Sequence, residues 1–169
     1  MKANKKNVCY IDGANLHRGI SELGWKLDYV RFRIWLKEKY GISRAYLFIG
    51  FIPQNQDLYS SLQKSGYILK FKPVLPNQEG GHKGNVDADL VLQIVIDFFE
   101  KNFEKAVLIT SDGDFYSVVK FLYERGRLEK VISPYYKTCS TLLKSTAKEK
   151  LVFVNNLQKK LEYIKKNTA

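Results

Sequence analysis

The sequence predicts an α/β fold: a mostly parallel sheet with helices packed on both faces. Two observations carry this. Short apolar, β-rich runs alternate with helical patterns along the whole 169-residue chain. Two of those runs also break off into Asp12-Gly13 and Asp112-Gly113, at the strand ends where open α/β sheets bind their ligands.

The elements follow in order. Residues 1–7 form a short basic arm. Residues 8–11 (VCYI) read as a strand that ends in Asp12-Gly13-Ala14-Asn15. Residues 28–40 suit an amphipathic helix with Val30, Ile34, Trp35 and Leu36 as its apolar positions, and Gly41 ends it as a left-handed cap. Residues 44–52 read as a buried strand closed by Pro53. Residues 54–65 form a weaker helix with Leu58, Leu62 and Tyr59 facing inward, ended by Gly66. Residues 67–75 form a strand, and Pro73 places its end at an edge. The stretch 76–85 (PNQEGGHKGN) is the most loop-like. A strong helix over 86–102 precedes a strand over 105–111. A helix over 115–125 ends at Gly126. A strand over 128–134, a helix over 138–148, a strand over 151–154 and a basic helix over 157–166 complete the chain. No repeat or linker interrupts it, so one domain is expected over 1–169, with its core at about 8–154.

The formal net charge is +11, which bears on partners rather than fold. A polyanion, nucleic acid first, fits such a surface; a basic surface that only keeps the protein dissolved is the plainer reading. No apolar run approaches the length of a membrane span, and the N-terminal MKANKKNVCYIDG lacks the apolar stretch of a signal peptide. The two cysteines, Cys9 and Cys139, form no CxxC or Cys/His cluster. That argues against structural zinc and fits a reducing, cytoplasmic setting.

Right-handed crossovers place the strand-to-helix loops of a parallel sheet along one edge. Asp12 and Asp112 should therefore lie on the same edge. In the helix over 86–102, at about 100° per residue, Asp87 falls in line with Leu90, Val91, Ile94, Val95 and Phe98. Asp89, Gln93, Asp97 and Glu100 fall opposite. A carboxylate on the core-facing stripe is costly unless it is paired or binds a cation. Asp12, Asp87 and the Asp112/Asp114 pair are thus expected to converge. Clustered carboxylates repel one another unless a cation compensates, and oxygen-only donors suit Mg²⁺ or Mn²⁺. Such an ion supports in-line phosphoryl displacement. A basic protein presenting it to a polyanion is, by that chemistry, a nuclease.

Each residue also has a plainer reading. Asp114 would cap a helix beginning at Phe115, and Asp87 would cap its own helix. Asp12 and Asn15 would shape a turn; Asp112 has the least local reason to be there. Ser111 would orient a carboxylate or touch substrate, or simply hydrogen-bond within its loop. Lys83, in a glycine-flanked loop, and His17 and Arg18, after the first acidic loop, are candidates for phosphate contact or plain exposure. His82 carries little information. No P-loop or dinucleotide fingerprint is present.

Three motifs together, Tyr10-Ile11-Asp12-Gly13-Ala14-Asn15-Leu16, Lys83-Gly84-Asn85-Val86-Asp87-Ala88-Asp89-Leu90 and Thr110-Ser111-Asp112-Gly113-Asp114-Phe115, resemble the NYN domain family (LabA-like) of the PIN-like nuclease superfamily. The resemblance spans roughly residues 8–154. It implies a three-layer α/β/α sandwich with a mainly parallel central sheet. It also implies a metal-dependent ribonuclease whose acids hold Mg²⁺ or Mn²⁺. By position, Asp12, Asp87, Asp112 and Asp114 match the acidic points, and Asn15 matches the asparagine of the first motif. Many members carry a further aspartate about two helical turns after the position of Asp87; here Gln93 stands there.

The expected function is therefore a divalent-metal-dependent ribonuclease. Asp12, Asp87 and Asp112 would be ligands, and Asp114 a ligand or the holder of a water. Asn15 would orient Asp12 or the phosphate. Lys83, Arg18 and Ser111 would lie against the RNA, bound mainly through its backbone. Phe115 and Tyr116 would stack on bases, unless Phe115 is core. A homodimer is compatible with this reading. One rival is a non-catalytic RNA-binding or regulatory module on the same fold, which Gln93 favours. Another is a HAD-type phosphohydrolase, which Ala14 disfavours, because that chemistry wants a second acid there.

Overall fold

The computed structural model describes residues 6–72, 75–76, 82–83 and 86–167. β1 (Asn7–Asp12) runs directly into α1 (Gly13–Glu22). Then come α2 (Tyr29–Tyr40), β2 (Ile42–Gly50), α3 (Gln56–Lys64) and β3 (Tyr67–Lys72). Two short strands, β4 (Leu75–Pro76) and β5 (His82–Lys83), pair antiparallel with each other. The second half runs α4 (Asp87–Phe99), β6 (Ala106–Ile109), α5 (Tyr116–Glu124), β7 (Leu128–Ser133), α6 (Thr141–Ala147), β8 (Leu151–Phe153) and α7 (Gln158–Leu161).

Six strands form one sheet in the order β3-β2-β1-β6-β7-β8, and every neighbouring pair is parallel. β1 is central and buried along its whole length, which is why it reads as a continuous apolar run. Its side chains alternate between two cores. Cys9 and Ile11 pack with Leu16, Phe32 and Leu36 from the helices of the first half. Val8 and Tyr10 pack with Leu90, Ile94 and Val119 from those of the second. The helices therefore change face midway through the chain, and the short α7 returns to the first core through Leu161. The direction of strand succession reverses at the same point, between β1 and β6. In doubly wound sheets that reversal opens a crevice at the carboxyl ends of the strands, and Asp12 and Asp112 flank it.

Several expectations are corrected by packing. In α2 the inward residues are Phe32, Trp35, Leu36 and Tyr40, while Val30 and Ile34 are about half exposed. The rings stack and meet edge to face (Phe32–Trp35 5.7 Å, Trp35–Tyr40 5.4 Å between centroids). They bury more area than Val and Ile, so they take the core-facing phase. In α3, Tyr59 and Leu62 are buried and Leu58 is exposed. Strand β3 lies at the sheet edge as expected, although Pro73 itself is outside the described residues. The stretch expected to be all loop contributes β5.

The basic C-terminal helix stops at Leu161. There the Asp28 amide bonds to the Leu161 carbonyl and the Tyr163 amide to the Lys26 carbonyl, both at 2.8 Å. Pairing with the 26–28 segment replaces further helix. The phase of α4 also differs: its buried stripe is Leu90, Ile94 and Asp97. Asp97 was expected on the outer face, yet it is 2% exposed. Tyr10 Oη donates to its Oδ2 at 2.7 Å, and the Gln93 and Asn102 side-chain amides both donate to its Oδ1 at 3.1 Å. Three donors satisfy the buried carboxylate, as burial requires.

Candidate metal centre

The carboxyl edge of the sheet assembles the site. The Asp12 side chain caps α1 by accepting the Asn15 amide at 3.2 Å. Its other oxygen accepts the Thr110 hydroxyl at 3.3 Å, and Thr110 Oγ1 accepts the Asp112 amide at 3.1 Å. One buried threonine thus joins the first acidic loop to the third. Asn15 makes a second tie, its side-chain oxygen accepting the Ser111 amide at 2.8 Å. Two glycines permit the close packing. A Cβ at Gly13 would sit 2.8 Å from the Phe48 carbonyl oxygen, and one at Gly113 would collide with the Ser140 side chain.

Asp112 accepts the Asp114 amide at 2.9 Å and so caps the 3₁₀ turn Gly113–Phe115. The capping role expected of Asp114 falls to Asp112 instead. The reason is that a tight turn precedes α5 and moves the cap position two residues upstream. Asp114 is left exposed, inside the first turn. Asp87 is not a cap either: it is the first residue of α4, and Val86 holds the cap position.

Oxygens of Asp87, Asp112 and Asp114 all lie within 4.8 Å of one another. Asp12 is outside that group. It is 5% exposed, and burial pushes its carboxyl up to about 6. The charges of Asp87 and Asp112 add to the rise, while the hydrogen bonds from Asn15 and Thr110 oppose it. Burial, followed by the charges of Asp112 and Asp114, also raises Asp87, and Lys72 at the end of β3 counteracts this. The donor set suits a hard divalent ion: three carboxylates, partly exposed, which leaves room for waters in its shell. A cation would also relieve their mutual repulsion.

The cluster separates two grooves. One, of about 320 Å³, is lined by Asn15, Arg18, Glu22, Asp112, Thr138 and Ser140 among others. The other, of about 530 Å³, lies between α4 and the 3₁₀ turn Gly113–Phe115 and is lined by Asp87, Val91, Leu92, Val95, Asp114 and Phe115, with Ala88.

The remaining sequence candidates separate clearly. Arg18 is exposed beside the centre. Ser111 is 4% exposed, and its hydroxyl pairs with that of Ser133 at 2.8 Å, which ties the ends of β6 and β7 together, while the residue also contributes to the lining of the first groove. Phe115 is 1% exposed core and offers no face for stacking, whereas Tyr116 is exposed. The side chains of Lys83 and His82 lie outside the described residues. Sequence reading gave Thr110 and Lys72 no role. Their signals were a hydroxyl one residue before Ser111-Asp112 and a lysine closing an edge strand, and both needed the strand order to be seen.

A parallel α/β sheet with carboxylates gathered at its switch point fits a nuclease-like fold. The family model for the NYN domain matches residues 7–155, and the chain belongs to that family. NYN domains are generally ribonuclease-like, act on RNA and typically use divalent metals. No curated protein matches. Among solved structures, a protein of unknown function from Vibrio parahaemolyticus is similar, with a TM-score of 0.73 at 20% identity over 91% of this chain and 95% of that one. At that identity the likeness concerns the fold alone.

Proposed function

We propose that this NYN protein is a divalent-metal-dependent ribonuclease that hydrolyses RNA phosphodiester bonds at the Asp87, Asp112 and Asp114 cluster. The supporting observation is that three carboxylates converge within 4.8 Å at the switch point of the sheet, in a chain of net charge +11. When bound, Mg²⁺ or Mn²⁺ would neutralise charge on the phosphoryl group and make an attacking water a better nucleophile. Asp87, Asp112 and Asp114 would hold the ion. Asp12 supports them from below the surface, through Thr110. Asn15 fixes the Ser111-Asp112 backbone. Arg18 would neutralise a neighbouring phosphate, and the basic surface would bind the backbone with little regard to sequence. A cytoplasmic location belongs to the same proposal.

Asp112→Asn tests this directly. The substituted side chain keeps an oxygen that accepts the Asp114 amide, so the turn survives while the negative ligand is lost. Mn²⁺-dependent cleavage of single-stranded RNA should fall to background with circular dichroism and melting temperature essentially unchanged. Full activity in the variant, from a clean preparation, would overturn the assignment. The binding-module reading draws on Gln93, whose side chain is committed to Asp97. Salt-sensitive RNA binding by the unaltered protein, with no cleavage at any Mn²⁺ concentration, would establish that reading instead.

A further inference from the structure

The two grooves beside the acid cluster differ in chemistry. The groove along α4 begins at Asp87 and Asp114 and continues along Val91, Leu92 and Val95, with buried Phe115 in its lining. Asp87, Val91 and Val95 are spaced four residues apart on α4. Each step is about 6 Å along the axis and keeps nearly the same direction. The wall therefore changes from carboxylate to hydrocarbon within one helical turn. Leu92, 57% exposed, stands beside that line. Among the described residues, no lysine or arginine lines this groove.

A matching ligand carries a phosphate, drawn by the acids' cation, and a flat apolar body about one helical turn away. A nucleotide has that shape. An acidic peptide would bring further carboxylates against Asp87 and Asp114, where Lys72 already counteracts the charge at Asp87, and a second copy of this chain brings another +11 of like charge. We infer that the groove along α4 is a nucleobase subsite for the nucleotide joined to the scissile phosphate. This rests on the ribonuclease reading above. The apolar wall offers contact area and no hydrogen-bond code, so the subsite accepts any base by packing against its face.

The test uses single-stranded RNA oligomers in which one abasic ribose is moved along the strand. The unaltered protein should lose about tenfold in kcat/KM when the gap falls at one position adjoining the cleaved bond. In Leu92→Ser that penalty should shrink to about twofold or less, and Val95→Thr, nearly isosteric, should shrink it in the same sense. An oligomer carrying 4-thiouridine at that position should photocrosslink to the peptide containing Val91–Val95. A penalty equal at all positions, or unchanged in both variants while RNA is still cleaved, would overturn the subsite and leave the nuclease standing. Absence of any RNA cleavage by the unaltered protein would overturn the nuclease reading and the subsite with it.

Discussion

The Asn15 side-chain oxygen accepts the Ser111 backbone amide at 2.8 Å, across 96 residues of sequence. This bond pins the loop after β1 to the loop after β6, and so fixes the backbone from which Asp112 projects. Asn15→Ala leaves the part-buried Ser111 donor without its partner. The expected loss is about 1–3 kcal/mol of stability, read by urea denaturation, together with lower cleavage activity. Asn15→Asp keeps an acceptor there and should recover most of the stability.

The cap and the metal role of Asp112 can be separated. Asp112→Ala loses both, whereas Asp112→Asn loses only the charge. Relative to Asp112→Asn, the alanine variant should lose a further ~1 kcal/mol, typical of an N-cap deletion. Added Mn²⁺ should raise the melting temperature of the unaltered protein, because an ion that binds the folded state stabilises it. It should raise neither variant appreciably.

Asp12 predicts an inverted pH dependence. Its folded pKa, about 6, lies above the ordinary 3.8. Between those values the folded state keeps a proton that the unfolded state has released. Stability from this group is therefore full below about pH 4 and is lost as pH rises through about 6. A rise of that size corresponds to about 3 kcal/mol. Asp12→Asn should flatten the metal-free stability profile between pH 4 and 7 and raise stability at pH 7. A profile that keeps the unaltered protein's slope would contradict this account.

Tyr10→Phe removes one of the three donors to buried Asp97. A hydrogen bond to a charged group contributes about 1.5–3 kcal/mol, so denaturation should show a loss of that size. RNA cleavage per folded molecule should be unaffected, because this carboxylate is not one of the clustered acids.

The alternation of strands and helices, and the placing of Asp12 and Asp112 on one edge, were legible because they follow from local pattern and crossover handedness. The inward turn of Asp97 was not. A helical wheel turns Asp97 to water, and donors from Tyr10 on β1, Gln93 and Asn102 together make its burial tolerable. The cap role weighed as the plainer reading of Asp114 belongs to Asp112 because of an extra 3₁₀ turn, which has no sequence signal stronger than Gly113. The close grouping of Asp87, Asp112 and Asp114, with Asp12 set apart beneath, depends on side-chain directions that periodicity does not resolve. The early end of the terminal helix depends on backbone partners more than 130 residues away.

The strand order carries a consequence for biosynthesis. β1 ends at Asp12, yet its second neighbour, β6, begins at residue 106. Until then β1 has one open edge, and neither Asp112 nor Asp114 has a scaffold. Such a long-range pairing is closed late. A growing chain therefore has no assembled acid cluster until β6 and the turn that follows it have been made.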